Sequence, residues 1–207
     1  MKKTLMTLSA VAVLLAACNQ QEQQQNGHMH EAMKHEEKKT ENVMMQAMDE
    51  SMMAMHKAKM TGSPDFDFAS MMIPHHEGAV VMAEAQVKNG KSEQLIAFSK
   101  KVIDAHQKEI SMLKEFLKTA NQQPAQDAAA FKKDIDASMA PMMDGMASVK
   151  LTNDIDQDFI ALMIPHHQSA VDMAKAYLPH SKNASIKQLA EQIVKAQEEE
   201  IKWLKAQ

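Results

Sequence analysis

Arginine is absent from this chain of 207 residues, and Cys18 is its only cysteine. Without arginine the chain lacks the planar side chain that proteins favour for clamping phosphates and carboxylates. Its formal net charge is −4, so nucleic acid, which binds to basic surfaces, is not expected as a partner. A single cysteine also excludes a disulfide framework within the chain.

Aromatic residues form only 4% of the chain, with 5 glycines and 6 prolines. Hydrophobic residues still reach 45%, and 21 of the residues are methionine. Alanine and long unbranched side chains lose little rotamer freedom in a helix. The sequence therefore predicts an all-α protein with a packed core.

The N-terminus is typical of an exported bacterial lipoprotein. Two lysines precede an apolar run over residues 5–17 that is too short to span a bilayer and that leads directly to Cys18. The Leu-Ala-Ala-Cys ending resembles a lipoprotein processing site, so we expect residues 1–18 to be a signal peptide and Cys18 to be lipidated. Asn19 resembles the sorting signal for the outer membrane, which would leave the protein on the periplasmic face of the envelope. An ordinary signal peptide is the alternative.

Residues 19–42 are polar and have no apolar periodicity, which indicates a flexible tether. This segment could bind metal loosely or serve only as a solvated linker. Its candidate ligands are His28, Met29, His30, Met33 and His35.

The string Met-Ile-Pro-His-His occurs twice, at residues 72–76 and 163–167, with an offset of 91 residues. The match at one fixed offset extends beyond the string and indicates two copies of one structural unit. We expect a first helical repeat over 43–120 and a second over 127–207. Each would contain a short Met-rich helix and two long helices, and the four long helices would form one bundle.

Capping signals predict the ends of the helices that carry the repeated string. Ser63 before Pro64 indicates a helix start, Asn89-Gly90 indicates its end, and Asp154 indicates the start of the counterpart. Each helix would then run through the proline of its string. A helix that begins at that proline is the alternative.

Paired histidines in both copies suggest metal ligands. At about 100° per helical residue, His75 and His166 would share one face, whereas His76 and His167 would point to another. One helix therefore cannot hold an ion with both of its histidines, and donors must come from neighbouring helices.

Other residues extend the candidate set. Met72 and Met163 lie one turn before the histidines, so a thioether and an imidazole could meet at one ion. His106 lies in an apolar helical stripe where the second repeat has Gln197, so two sites would differ in affinity. The remaining candidate ligands are Met82, Met173 and His56, and core packing is the alternative role for each. His56 belongs to a predicted helical stripe with Met45, Met48 and Met52.

Imidazole and thioether donors with few convergent carboxylates favour copper, particularly Cu(I), and its analogue silver. Zinc would leave the methionines unexplained. A di-iron centre would need Glu-x-x-His ligands, whereas the chain has His106-x-x-Glu109 and Gln197-x-x-Glu200. The absence of a visible nucleophile favours binding without catalysis.

The Asp-x-Phe lead-in, the repeated string and a closing helix with Gln or His before Glu-Ile resemble the bacterial domain-of-unknown-function family three hundred and five. The resemblance covers most of residues 43–207 and implies a ferritin-like helical bundle. Some exported members of that family are linked to copper binding and resistance. The positions carried over as ligands are His75, His76, His166, His167, Met72 and Met163.

We therefore expect an exported, lipid-anchored protein that sequesters copper or transfers it, with a metal-delivery protein as a possible partner. Two alternatives remain open. One is a non-catalytic envelope bundle that binds a protein and whose histidines are only packed. The other is a metal-dependent oxidase.

Overall fold

The computed structural model describes residues 42–207, and these residues contain six helices and no strand, which confirms the all-α prediction. None of these helices is long and apolar enough to cross a membrane. The predicted signal peptide, Cys18 and the tether up to residue 41 lie outside the described residues. The helices are α1 (Val43–Lys57), α2 (Pro64–Asn89), α3 (Glu93–Leu117), α4 (Ala128–Ser148), α5 (Ile155–Tyr177) and α6 (Ala184–Leu204), with a 3₁₀ turn over Leu178–His180.

The helices that carry the repeated string, α2 and α5, begin as predicted. Ser63 is the N-cap residue of α2, and Asp154 caps α5 by accepting hydrogen bonds from two backbone N–H groups of its first turn. Both helices continue through the proline of the string. The alternative in which they start at that proline is therefore wrong.

Helices α2 and α5 lie at the centre of the bundle. Helix α2 packs on α1 and α3, α5 packs on α4 and α6, and α2 and α5 contact each other. The repeated string thus lies where the two halves of the molecule meet, which is why its methionine and both of its histidines are buried.

Two equivalent aspartates join the halves. Asp65, in the first turn of α2, accepts hydrogen bonds from the backbone N–H groups of residues 182 and 183, just before α6. Asp156, in the first turn of α5, accepts hydrogen bonds from those of residues 91 and 92, just before α3. Each repeat therefore satisfies backbone donors in the turn of the other, which fixes α2 and α5 relative to α6 and α3.

The buried face of α1 differs from the predicted stripe. Its buried residues are Met44, Ala47, Met48, Ser51 and Met55. Helix α1 lies close to α2 at Gly78, where an added Cβ atom would be 2.7 Å from Ser51 Cβ. The buried face is thus rotated by about one residue from the predicted one, and this rotation leaves His56 exposed.

Candidate metal centre

Five histidines from three helices form a closed cluster in the core. Their side chains are 0–2% exposed. His75 and His166 have ring centroids 3.9 Å apart, and His76 and His106 have theirs 4.3 Å apart. His167 completes the cluster, with centroid distances of 5.7 Å to His106 and 6.3 Å to His166. We call these five residues the histidine cluster.

The two histidines of each string face different neighbours, as helix geometry predicts. The rings of His75 and His76 are 6.0 Å apart and inclined by 64°, and those of His166 and His167 are likewise inclined by 64°. The first histidines of the two strings lie against each other between α2 and α5. The second histidines both lie next to His106, which belongs to α3.

Most of the polar atoms in the cluster have no hydrogen-bond partner. Nine of its ten ring nitrogens are buried and unpaired, the exception being His75 Nε2, which lies 2.6 Å from Ser169 Oγ. A buried polar atom without a partner costs about 1–3 kcal/mol. Such a concentration in the core is typical of a site built for a ligand rather than for stability.

Two glutamates border the cluster. Glu109 Oε2 lies 2.8 Å from His76 Nε2 and 3.9 Å from His106 Nδ1. In the second repeat Glu200 Oε2 lies 3.0 Å from His167 Nε2. The two shorter distances are within hydrogen-bond range, but the atoms lack the alignment of a hydrogen bond.

Neither of these glutamates was among the predicted site residues. The glutamates were visible in the sequence as His-x-x-Glu and Gln-x-x-Glu at the same register of α3 and α6. At this spacing Glu109 lies one turn from His106 on the same helical face, and that relation could have placed both glutamates at the site.

Burial keeps three of the five histidines uncharged. It lowers the pKa of His75, His106 and His166 well below the ordinary value of 6.5, and the neighbouring histidines lower it further. For His166 a weak interaction with the His75 backbone acts in the other direction. These imidazoles are therefore neutral at pH 7, the state in which a ring nitrogen offers a lone pair to a metal.

The predicted methionine ligands occupy the same two central helices. Met72 and Met163 are fully buried one turn before the paired histidines, and Met82 and Met173 are buried further along. His56 is exposed on α1 and does not belong to the cluster. Among the predicted ligand histidines that lie within residues 42–207, the structure brings together all except His56.

Within residues 42–207 no three His, Cys, Asp or Glu side chains are arranged as a finished coordination site. The imidazoles contact one another instead, and a centroid separation of 3.9 Å leaves no space for an ion between His75 and His166. An ion bound by both of these rings at once would therefore require at least one of them to rotate.

The family assignment follows from the whole chain. The sequence model described as "Domain of unknown function (DUF305)" matches residues 7–117 and, in a second region, residues 65–207. This chain belongs to the DUF305 family. The overlapping pair of matches agrees with the predicted resemblance and is consistent with two copies of the domain.

Solved structures of CopM are similar to this DUF305 protein. They include a silver-bound form obtained by soaking, an apo form and a Cu(II)-bound form, each 28% identical with a TM-score of 0.53. Each similarity covers 69% of this chain, and it covers 92% of the silver-bound CopM chain and 93% of the other two. No protein of curated function matches the sequence.

Two equivalent positions at the cluster differ between the repeats of this DUF305 chain. His106 of α3 corresponds to Gln197 of α6, which is buried with no hydrogen-bond partner for either amide atom. Gly78 of α2 corresponds to Ser169 of α5. The cluster is therefore asymmetric, although the string itself is identical in both repeats.

Proposed function

We propose that this protein binds copper, with a preference for Cu(I), in the histidine cluster and holds or transfers it without turnover. The observation that carries this proposal is the set of nine buried ring nitrogens without hydrogen-bond partners. Each neutral imidazole has one nitrogen with a lone pair and one N–H, so a metal could use at most one nitrogen of each ring. Coordination would also offset the desolvation that the metal-free protein tolerates.

The available donors suit a soft or borderline ion. Neutral imidazoles bind copper well, and thioethers favour Cu(I) in particular. Met72 and Met163 place thioethers on the same helices as the imidazoles, in the fully buried core. The silver-bound and Cu(II)-bound forms of CopM support this choice of metal.

The two halves of the cluster should bind with unequal affinity. In the first half, His76, His106 and Glu109 offer two imidazoles and a carboxylate. In the second half, an amide takes the place of the imidazole of His106. Because an amide is a weaker donor to copper than an imidazole, the first half should fill first.

In this proposal the chain is exported and anchored by lipid on Cys18, at the periplasmic face of the outer membrane. Thiols tend to oxidise in such a compartment, whereas methionine and histidine remain available as monomeric ligands. The tether could then bring ions or a metal-delivery protein to the bundle.

An envelope bundle with packed histidines explains the cluster less well. A structural histidine in a core normally uses its nitrogens in hydrogen bonds, and here seven ring nitrogens have neither a hydrogen bond nor a carboxylate oxygen within 3.0 Å. One observation favours the other alternative, a metal-dependent oxidase. Glu109 and Glu200 bring carboxylates to both halves, as oxygen-activating metal sites often do, so oxygen uptake by the loaded protein should be measured alongside binding.

The test is an anaerobic competition titration with Cu(I) and a chromogenic chelator. The protein is the full chain carrying Cys18→Ala, which removes the thiol and the lipid anchor. His75→Ala, His166→Ala and the double variant should lower the stoichiometry or the affinity. His56→Ala is the matched control, because this histidine is exposed and outside the cluster.

Binding that is unchanged in the double variant would reject the assignment to the cluster. If only His56→Ala lowers the Cu(I) affinity, the copper site lies at the surface near His56 and not in the histidine cluster. Sustained oxygen consumption by the copper-loaded protein would show that it is an oxidase and would contradict a role in storage or transfer without turnover.

A further inference from the structure

We propose that Ser169 is a positioning residue that fixes the tautomer of His75, with the proton on Nε2 and the metal-binding lone pair on Nδ1. This inference rests on the proposed function and deepens it. It names the donor atom of one ligand and a residue that selects that atom.

The direction of the hydrogen bonds follows from the positions of three heavy atoms. Ser169 Oγ lies 2.6 Å from His75 Nε2 and 2.8 Å from the backbone carbonyl oxygen of His166. A carbonyl oxygen only accepts, so the single hydroxyl proton is donated to it. Ser169 Oγ must then accept the hydrogen bond from His75 Nε2, which therefore carries a proton.

The reverse arrangement is unfavourable. If the hydroxyl donated to His75 Nε2, the lone pairs of Ser169 Oγ would face the His166 carbonyl oxygen at 2.8 Å with no proton between them. The site is buried, so water cannot relieve that repulsion: Ser169 is 3% exposed and His75 is 0% exposed. Two acceptors in such contact would cost as much as a lost hydrogen bond.

The lone pair of His75 then resides on Nδ1. Burial opposes a second proton on the same ring, because a charged imidazolium would be desolvated. Nδ1 is buried and has no hydrogen-bond partner. In metal sites the nitrogen that does not bind the ion commonly donates its N–H to a polar neighbour, which orients the ring and strengthens the ligand. Ser169 supplies that neighbour for His75.

His166 has no such neighbour, because Gly78 occupies the equivalent position in the first repeat. A Cβ atom at Gly78 would lie 2.7 Å from Ser51 Cβ and 3.2 Å from the backbone oxygen of Ala47, both on α1. A serine therefore fits in the second repeat and not in the first. The first histidines of the two identical strings are consequently chemically different ligands.

Two-dimensional proton–nitrogen NMR of the metal-free protein tests the tautomer of His75 directly. In the full chain carrying Cys18→Ala and labelled with ¹⁵N-histidine, two-bond proton–nitrogen correlations distinguish a protonated ring nitrogen from an unprotonated one. The His75 signals are those missing from the His75→Gln spectrum. We expect a single form of His75, protonated at Nε2.

Substitution of Ser169 tests its role in positioning. In Ser169→Ala the single Nε2-protonated form should be lost, and Cu(I) affinity should fall by about 10- to 100-fold at unchanged stoichiometry. Ser169→Thr keeps the hydroxyl and should preserve the tautomer. Ser51→Ala is the matched control: Ser51 is also a buried helical serine that donates to the carbonyl oxygen three residues earlier, and no histidine hydrogen-bonds to it.

Each outcome separates this inference from the proposed function. A wild-type spectrum with the proton on Nδ1 overturns the inference, and so does a His75 spectrum unaffected by Ser169→Ala. The wild-type spectrum, assigned with His75→Gln, decides even if both Ser169 variants fail to fold. If the wild type binds no Cu(I), the proposed function fails, whereas the spectrum still tests the tautomer.

Discussion

Acidification should strongly destabilise the metal-free protein, because burial lowers the pKa of His75, His106 and His166 in the folded state. In the unfolded chain each imidazole takes up a proton near pH 6.5. In the folded chain each stays neutral to a lower pH. Since the folded-state pKa is depressed, the stability is fully present above about pH 6.5 and is lost as the pH falls towards the folded-state pKa.

The size of the effect follows from the number of protons. Each group contributes up to about 1.4 kcal/mol per pH unit below its unfolded pKa, so three groups cost about 4 kcal/mol between about pH 7.5 and 5.5. The raised pKa of His180 acts in the opposite direction and offsets part of this loss. A domain has about 5–15 kcal/mol of stability in total. Ordinary carboxylates take up few protons until the pH is below about 5, so they should contribute little over this range.

Urea denaturation of the metal-free protein at these two pH values measures the loss. His106→Gln is the informative variant, because α6 already carries a buried glutamine at the equivalent position. The variant should lose about 1.4 kcal/mol less than the wild type over the same range. Equal free energies of unfolding of the wild type at both pH values would refute the reasoning, and so would a full loss in His106→Gln.

Two further substitutions probe the packing of α1 and α4 against the helices that carry the repeated string, and a third probes the pairing of His180 with Asp127 and Asp134. Gly78→Ala should cost about 1–3 kcal/mol in urea or thermal denaturation, because the new methyl group overlaps Ser51 of α1. Gly145→Ala is its control, since the nearest atom would be 3.6 Å away, and it should be neutral or stabilising by up to about 1 kcal/mol. His180 donates from both ring nitrogens to carboxylates, at 2.9 Å each. Burial lowers the pKa of His180, but the two carboxylates outweigh burial and raise it above its usual value. The stability from this pairing is fully present below about pH 6.5 and is lost as the pH rises through the folded-state pKa, so His180→Gln should lower the free energy of unfolding more at about pH 6 than at about pH 9.

The fold was largely predictable because its signals are local. The caps at Ser63 and Asp154 and the stop at Gly90 depend only on neighbouring residues, and the repeat offset gave the number of helices. The contacts of Asp65 and Asp156 with the turns of the opposite repeat were not predictable. They depend on how the two repeats pack, and no sequence pattern encodes that arrangement.

The sequence predicted which histidines form the site, but not which of their rings lie against each other. Helical geometry separated His75 from His76, yet only the packed structure shows His75 against His166 and His76 against His106. The error at His56 has a local cause. A methionine-rich helix has several nearly equivalent apolar stripes, and the close approach of α1 to α2 at Gly78 selects among them.

The two repeats differ in the metal donors of the cluster but not in the hydrogen bonds that hold the helices carrying the repeated string. Asp67 and Asp158, at the same register, each accept hydrogen bonds from the backbone N–H and hydroxyl of a threonine six residues earlier. Such anchors fix both motif helices in the same way, so a change at one cluster position alters the chemistry without moving the backbone. Gln197 and Ser169 are two such changes, and both lie in the second repeat. One gives that half a weaker donor, and the other restrains a histidine of the first half. Both changes therefore favour metal binding in the half formed by the first repeat, and the two halves of the site should not bind with equal affinity.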